Sequence, residues 1–186
     1  MKNIILAIFA FVSVSAYAQK DTAGLKIPIS NGSVVYEHVF ETPGKTKAQL
    51  YNDAQQWFIT RYKNFRDIEV ADSANDRVIG KGKEIVPFLG PFKTSIPFQS
   101  RMSIQIDCKD GKFRSRISAI TLSPRDTGTA MNFTTSPEEL LSDLTGNRRT
   151  SGLTKAQMRQ LLQNLNITIN NKMASLNKAL MARDDF

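Results

Sequence analysis

The chain has 186 residues, of which 41% are hydrophobic and 23% are charged, a composition that excludes disorder and low complexity. This length predicts a single domain that can bury a core without support from metals or disulfides. The net charge of +8 favours an anionic partner, whereas the single cysteine, Cys108, and the single histidine, His38, exclude an intramolecular disulfide and a histidine-rich metal site.

Residues 1–18 have the pattern of a signal peptide. Lys2 precedes an apolar run from Ile4 to Val14, and the small-x-small pattern that ends at Ala18 is typical of a signal-peptidase site. We expect cleavage before Gln19 and a periplasmic or secreted protein. The apolar run is too short to remain as a transmembrane anchor. A buried N-terminal helix is the alternative interpretation.

A leader, a strand and a helix are predicted next. Residues 19–32 contain proline, asparagine and glycine that break regular structure, and we expect a mobile leader there. Alternating polarity from Ser33 to Glu41 predicts the first strand. A capping box then begins at Thr46, and the apolar stripe behind it predicts a helix that ends near Asn64.

Four further strands are predicted to follow as a meander. Gly80 and Gly82 share one strand face, which indicates a bend in the sheet or a closely packed helix. Asp110-Gly111 predicts a tight hairpin, and a change of phase in the last strand predicts a bulge near Ser118 or Ala119. The predicted strands run from Ile68 to Ala71, Arg77 to Val86, Phe98 to Lys109 and Lys112 to Leu122.

The remaining chain is predicted to contain a loop and a long helix. Residues 123–153 form the loop, which includes a short helix from the cap residue Ser136 to near Leu144. Residues 154–186 form the last helix, which Thr154 caps with the same Thr-Lys-Ala-Gln box that begins at Thr46. Its apolar stripe is long enough to cross the whole sheet.

This order of elements predicts an α+β fold with two layers, whose core is residues 33–122. Tight turns between strands favour a mostly antiparallel sheet. Each long helix has one apolar side that must be buried against the sheet. We therefore predict a curved sheet of five strands, in the order β-α-β-β-β-β-α, with both long helices on one face and the opposite face uncovered.

Five short groups of residues between Val34 and Leu122 carry a resemblance to a known family. They are Val39-Phe40, Leu50-Tyr51, Trp57-Phe58, Ile79-Gly80-Lys81-Gly82 and the hairpin Lys109-Asp110-Gly111-Lys112-Phe113-Arg114. In this order of elements they resemble a family of exported bacterial domains, the domain of unknown function 4468, which has a TBP-like fold. The resemblance implies that fold and export, and it assigns no activity and no functional residue. The fold name refers to shape and does not imply DNA binding.

Strand alternation places basic side chains in rows on the predicted uncovered face. Such rows would form a basic patch that binds an anionic polymer or a lipid headgroup, with arginine suited to bidentate contacts. The alternative is an ordinary solvated face on which positive charge serves solubility. The candidate residues for binding a ligand or partner are Lys81, Lys83, Arg101, Gln105, Lys112, Arg114 and Arg116.

The segment from Pro87 to Phe92 is unusually apolar for a loop. Its side chains Phe88, Leu89 and Phe92 are candidates for contact with a hydrophobic ligand or a partner. The alternative is that the loop folds over the open end of the core.

No catalytic pattern stands out in the chain. His38 lies in the middle of a strand with no nucleophile tied to it, and Ser175 and Lys178 match a Ser-x-x-Lys pattern without its companion motifs. We therefore predict a non-enzymatic binding domain of the cell envelope, without cofactor or metal, whose partner is an envelope component or a protein. Export disfavours nucleic acid as the partner. The alternatives are an assembly module and a carrier that holds a small hydrophobic molecule between the sheet and the long helix.

Overall fold

The computed structural model describes residues 24–63, 68–90, 94–125, 133–146 and 151–182. The predicted signal peptide, its cleavage position between Ala18 and Gln19, and Phe92 of the apolar loop lie outside the described residues. The described residues form seven strands and three helices. The predicted order of strand, helix, four strands and helix is found. A short hairpin precedes the first strand of this series, and the short predicted helix precedes the long C-terminal helix.

The strands and helices are numbered here in chain order. The strands are β1 (Ile29–Ser30), β2 (Ser33–Val34), β3 (Tyr36–Glu41), β4 (Ile68–Asp72), β5 (Arg77–Val86), β6 (Phe98–Lys109) and β7 (Lys112–Pro124). The helices are α1 (Lys47–Tyr62), α2 (Pro137–Thr145) and α3 (Lys155–Met181).

Five of the strands form one sheet, in the order β3-β7-β6-β5-β4. Every neighbouring pair in this sheet is antiparallel. β4 to β7 follow one another as the predicted meander, and β3 pairs with β7 at one edge of the sheet. The prediction of a five-stranded antiparallel sheet is therefore confirmed, and β3 and β4 are its two edge strands.

The predicted first strand is divided into two strands. β2 pairs with β1 as a small hairpin, and the N–H of Val35 donates to the carbonyl of Pro28 at 3.1 Å before β3 begins. Part of the predicted leader, residues 19–32, is thus one arm of this hairpin. The reason is its turn, because Asn31 and Gly32 have φ values of 50° and 77°. Positive φ at both central residues is what a tight two-residue hairpin turn requires.

All three helices begin with a capping box, in which the cap hydroxyl and the third helical residue bond reciprocally to backbone N–H groups. The pairs are Thr46 with Gln49, Ser136 with Glu139, and Thr154 with Gln157. The two predicted threonine boxes are confirmed. The start of α1 is also tied to the β6–β7 hairpin, because the N–H of Lys47 donates to Oδ1 of Asp110 at 2.8 Å.

The long helices α1 and α3 cover one face of the sheet. Along β5, β6 and β7, buried residues alternate with exposed or half-buried ones. The buried residues form one apolar cluster with the stripes of α1 and α3. The predicted placement of both long helices on one face is thereby confirmed. The outward side chains of the five strands form the opposite surface, which we name the open face.

Gly82 lies where α1 approaches the sheet most closely. A Cβ atom at Gly82 would lie 2.7 Å from Cδ1 of Ile104 and 2.8 Å from the hydroxyl of Tyr62. Glycine here therefore leaves room for Tyr62, the last residue of α1, to pack against β5. Of the two reasons predicted for glycine on this strand face, close helix packing applies to Gly82.

A bulge lies in β7 at one of the two predicted positions. Ala119 has a φ of 50°, and the register between β6 and β7 shifts between Arg101 and Ser103. Beyond the bulge the buried positions change from odd to even numbers, so Ile120 and Leu122 stay in the core. The extra residue explains the phase change in the sequence.

Candidate functional site

The seven predicted binding residues all lie on the open face. Five of them are exposed, whereas Gln105 and Arg114 are half-buried. The strand registers confirm that their rows are neighbours on β5, β6 and β7. The sequence signal that located them was the alternation of side chains along each strand.

Asp107 lies on the middle strand, β6, near the β6–β7 hairpin, and contacts three side chains. Its carboxylate accepts hydrogen bonds from Nε of Arg77 at 2.5 Å, from Nη2 of Arg114 at 2.9 Å and from Nε2 of Gln105 at 2.9 Å. Partial burial opposes ionisation of this carboxyl, but the three donors outweigh burial and hold the pKa of Asp107 below its ordinary value. Arg114 and Gln105 are thus engaged within the protein.

Two further acidic side chains interrupt the predicted basic rows. Nζ of Lys81 lies 2.6 Å from Glu69, and Nη1 of Arg114 lies 4.0 Å from Glu37. The predicted rows share one face, and acidic side chains neutralise part of their charge. The pairing between strands decides which side chains become neighbours, and alternation within one strand does not show that pairing.

Two pairs of exposed cations lie directly opposed on the open face, Lys83 with Arg101, and Lys109 with Lys112 beside the β6–β7 turn. Lys83 and Arg101 face each other in the register of β5 and β6. Arg101 has a long contact of 3.5 Å to Gln99, and within the described ranges neither residue contacts a carboxylate. Like charges directly opposite each other destabilise a sheet. An anion bound between them would relieve this repulsion.

Lys112 and Arg116 are the other two candidate cations that are exposed without a carboxylate within ion-pair distance in the described part of the chain. Both lie on β7, where they are directly opposite Glu41 and Glu37 of β3. These pairs place opposite charges across neighbouring strands, which stabilises a sheet weakly. They extend the positive charge of the open face toward β3.

Lys172 of α3 belongs to a buried ionic cluster that sequence reasoning missed. Its ammonium group forms an ion pair with Glu84 and lies 4.8 Å and 5.4 Å from the ring centroids of Tyr62 and Trp57. Nη2 of Arg61 also contacts Glu84, at 3.0 Å. Burial lowers the pKa of Lys172, and the carboxylate of Glu84 opposes that decrease.

This cluster joins α1, α3 and β5 beside a cavity of about 340 Å³ that Glu84, Thr168, Lys172 and Ser175 help to line. The available sequence signal was a lysine on the buried stripe of α3, between Ile169 and Leu176. Its cation is compensated by Glu84 and by two aromatic rings. The ion pair and the cation–π contacts account for the burial of this lysine.

The apolar loop does not present its predicted residues as one patch. Phe88 is only 1% exposed, and its ring packs edge-on against Phe98 with centroids 5.1 Å apart. Leu89 is 49% exposed and forms an isolated bridge with Ser95. Phe88 therefore belongs to the core, in agreement with the alternative interpretation of this loop and not with a contact to a ligand or partner. A single exposed leucine is not a binding patch.

The remaining candidate residues have ordinary surroundings. His38 is exposed, with its ring centroid 4.5 Å from that of Phe40. Burial raises the pKa of Cys108 to about 12, with smaller contributions from nearby aspartates.

Among the side chains that the structure describes, no three histidines, cysteines or acids are grouped as a metal site. None of the described helices has the length and hydropathy needed to cross a membrane.

Comparison with known proteins identifies similar domains. The family model described as "Domain of unknown function (DUF4468) with TBP-like fold" matches residues 36–123. A crystal structure of a DUF4468 family protein from Bacteroides ovatus has a TM-score of 0.67 and 20% identity, with 88% of this chain and 95% of that chain covered. A TBP-like protein from Parabacteroides distasonis has a TM-score of 0.67 and 14% identity, with 85% and 99% covered. At these identities the likeness concerns the fold, and no curated protein matches the chain.

Proposed function

We propose, from the premise that residues 36–123 belong to the DUF4468 family with its TBP-like fold, that this protein is an exported binding domain. It acts without catalysis and binds an anionic envelope component through the open face of its sheet. The family description names a fold and no activity, so the proposal depends on the surface of this chain.

The opposed pair of Lys83 and Arg101 is the observation that carries the proposal. A sheet without a ligand gains nothing from two like charges placed directly opposite each other. Elsewhere on the open face, Arg77, Lys81 and Arg114 each have an acidic partner, and the other opposed pair, Lys109 and Lys112, flanks the hairpin turn directly. The contrast favours an anion at Lys83 and Arg101, where the arginine offers bidentate hydrogen bonds to a phosphate, sulfate or carboxylate.

Retention on a sulfated polysaccharide matrix tests this proposal. The protein is eluted with a salt gradient, since salt screens contacts between exposed charges. We expect Lys83→Ala and Arg101→Ala to elute at clearly lower salt than the original protein. Asp107→Asn should elute at higher salt, because it releases Arg77 and Arg114 from their acidic partner.

Lys178→Ala is the matched control for Lys83→Ala. Lys178 is an exposed lysine on α3, on the opposite side of the molecule from the open face. Both variants lose one lysine charge, so a general effect of net charge would move the two elution positions equally. Equal shifts for Lys83→Ala and Lys178→Ala would reject the open face as the binding surface.

A further inference from the structure

The edge strand β3 has backbone groups that are free to pair with another strand. Directly opposed residues of an antiparallel pair alternate between bonded and non-bonded positions. The N–H of Thr42 bonds to the carbonyl of Gly111, and the same register pairs Tyr36 with Ile117. The even-numbered residues of β3 therefore bond to β7. The N–H and C=O groups of Glu37, Val39 and Glu41 point away from the sheet. Those three have no backbone partner among the described residues.

A groove lies along this edge between β3 and α3. Its volume is about 600 Å³, within the range typical of ligand-binding clefts. One wall consists of Tyr36, His38 and Phe40, whose side chains point to the helix side of β3. The other wall is a stripe of α3 with several asparagines. That stripe contains Asn166, Asn170, Met173 and Asn177. Lys26 and Pro28, which precede β1, also line the groove.

Two buried polar atoms in the walls of the groove lack hydrogen-bond partners within the described residues. They are the hydroxyl of Tyr36 and Oδ1 of Asn177. Tyr36 is 4% exposed, and burial raises the pKa of its hydroxyl. Other buried polar atoms of the described residues, among them Oγ1 of Thr42 and Oγ of Ser115, also lack such partners, so these two atoms do not by themselves mark a site.

We propose that β3 and this groove bind an extended peptide as an additional strand of the sheet. A strand paired to Glu37, Val39 and Glu41 would place every second side chain in the groove, against the aromatic wall and Met173. The intervening side chains would lie on the open face. This inference goes beyond the proposed function, because it uses a different part of the surface and a ligand of opposite charge.

The charges of β3 identify the chemistry of the peptide. Glu37 and Glu41 lie on the open face, with Arg116 and Lys112 directly opposite them on β7. The next strand outward would continue this alternation of charge if its open-face residues were lysine or arginine. The expected ligand is therefore an extended segment in which basic residues alternate with apolar or small ones.

The same charges argue against a second copy of this chain as the occupant. An antiparallel pair of β3 strands centred on Val39 would place Glu37 of one copy opposite Glu41 of the other. The other edge strand, β4, carries Glu69 and Asp72 and is interrupted by a bulge between Ile68 and Val70. Bulges and charges protect an edge from pairing. β3 is a regular six-residue strand without proline or bulge, and it is the more accessible edge.

Fluorescence anisotropy with two labelled peptides tests the inference on the full-length protein. One capped six-residue peptide alternates lysine with valine, and the other alternates glutamate with valine. We expect saturable binding of the lysine peptide and at least about tenfold weaker binding of the glutamate peptide. Equal binding of the two peptides, or no binding of the lysine peptide, would overturn the proposal.

Val39→Pro tests whether binding uses the backbone of the edge. Proline removes the outward N–H of residue 39 and is tolerated on an edge strand, since the bonds to β7 use the even-numbered residues. The matched control is Val39→Ala, which removes the same exposed side chain and keeps the N–H. We expect about tenfold weaker binding of the lysine peptide to Val39→Pro than to Val39→Ala. Equal affinity would contradict strand addition.

Hydrogen exchange on the original protein provides a second measurement that needs no variant. Binding of the lysine peptide should slow exchange of the amides of Glu37, Val39 and Glu41. The amides of Tyr36, His38 and Phe40 already bond to β7 and should change little. If added peptide leaves the outward amides unprotected, the proposal is wrong whatever the variants show. The elution experiment on the sulfated matrix tests the open face at Lys83 and Arg101, so its outcome does not affect this inference.

Discussion

Charged residues of this protein find their partners far away in the sequence. Arg77 and Asp107 are 30 positions apart, and Lys172 contacts Glu84 from a helix near the end of the chain. In each case a half-buried or buried charge is accepted because a partner lies within ion-pair distance. Removing one member of such a pair therefore leaves the other unsatisfied.

Asp107→Asn should reduce stability in a manner that depends on pH. The lowered pKa of Asp107 means that its ionised form stabilises the folded state above the unfolded pKa, about 3.9. That contribution is lost as the pH falls through the still lower pKa of the folded state. Because both arginine partners are partly exposed, we expect a loss of about 1 kcal/mol in the free energy of unfolding at neutral pH.

Urea unfolding at pH 7 and at about pH 3 measures this effect. The difference between Asp107→Asn and the original protein should shrink at the acidic pH, where the native carboxyl also begins to lose its charge. Glu41→Gln is the control, because Glu41 is exposed and has no ion pair with a described residue. A loss that is the same at both pH values would show that charge on Asp107 is not its cause.

At the level of secondary-structure elements, β7 changes the phase of its side-chain alternation within one strand. Its first half buries odd-numbered residues and its second half buries even-numbered ones. The bulge at Ala119 absorbs the extra residue, at the cost of a left-handed backbone conformation that disfavours a side chain. The core contacts of Ile120 and Leu122 outweigh that local cost.

Ala119→Gly is therefore expected to stabilise the protein. Glycine removes the penalty of the left-handed conformation but loses more conformational entropy on folding, so we expect a net gain of about 0.5 kcal/mol in the free energy of unfolding. Ala71→Gly is the control, because Ala71 is exposed in β4 and pairs regularly with Val78. It should lose about 0.5–1 kcal/mol. Urea denaturation of both variants provides the comparison, and destabilisation by Ala119→Gly would contradict the strain argument.

For the molecule as a whole, a single buried thiol can report unfolding. Cys108 lies in the same core cluster as residues of α1, α3 and β7, and it is 4% exposed. A thiol reacts with alkylating reagents as its thiolate, and burial holds the pKa of Cys108 at about 12. Local fluctuations at the surface therefore do not expose it.

We expect iodoacetamide at mildly alkaline pH to label Cys108 only as fast as the domain unfolds. Labelling followed by mass spectrometry should be negligible in buffer over hours and rapid in concentrated guanidinium. The labelled fraction should follow the same denaturant midpoint as circular dichroism, as expected for one cooperative unit. Rapid labelling of the native protein would show that this part of the sheet opens separately.

Much of the fold could be predicted from local patterns in the chain. The alternation in Arg77–Val86 and Phe98–Lys109 predicted both strands with the bounds that the structure has. Thr46 and Thr154 marked the starts of both long helices because a capping box is a contact between residues three positions apart. The binding roles of the open face and the export of the protein remain predictions.

The candidate sites could be predicted only in part. Alternation placed Lys83 and Arg101 on the correct face, yet it did not indicate that they are directly opposite each other or that Asp107 engages Arg114. The hairpin at Asn31 and Gly32 was missed because breaking residues and turn residues are the same residue types. For Phe88 the sequence left both a binding loop and a plug of the core open, because hydrophobicity alone does not distinguish a core residue from an exposed one.

The sequence by itself determined the elements, their order and which side of each faces the core, because these depend on contacts between residues a few positions apart. The tertiary structure alone decided that β3 is an edge strand beside a groove of α3, that Lys172 meets Glu84, and that like charges face each other at Lys83 and Arg101. Those features depend on strand register and on how the helices lie on the sheet. Both are determined by the packing of the whole core rather than by any local pattern.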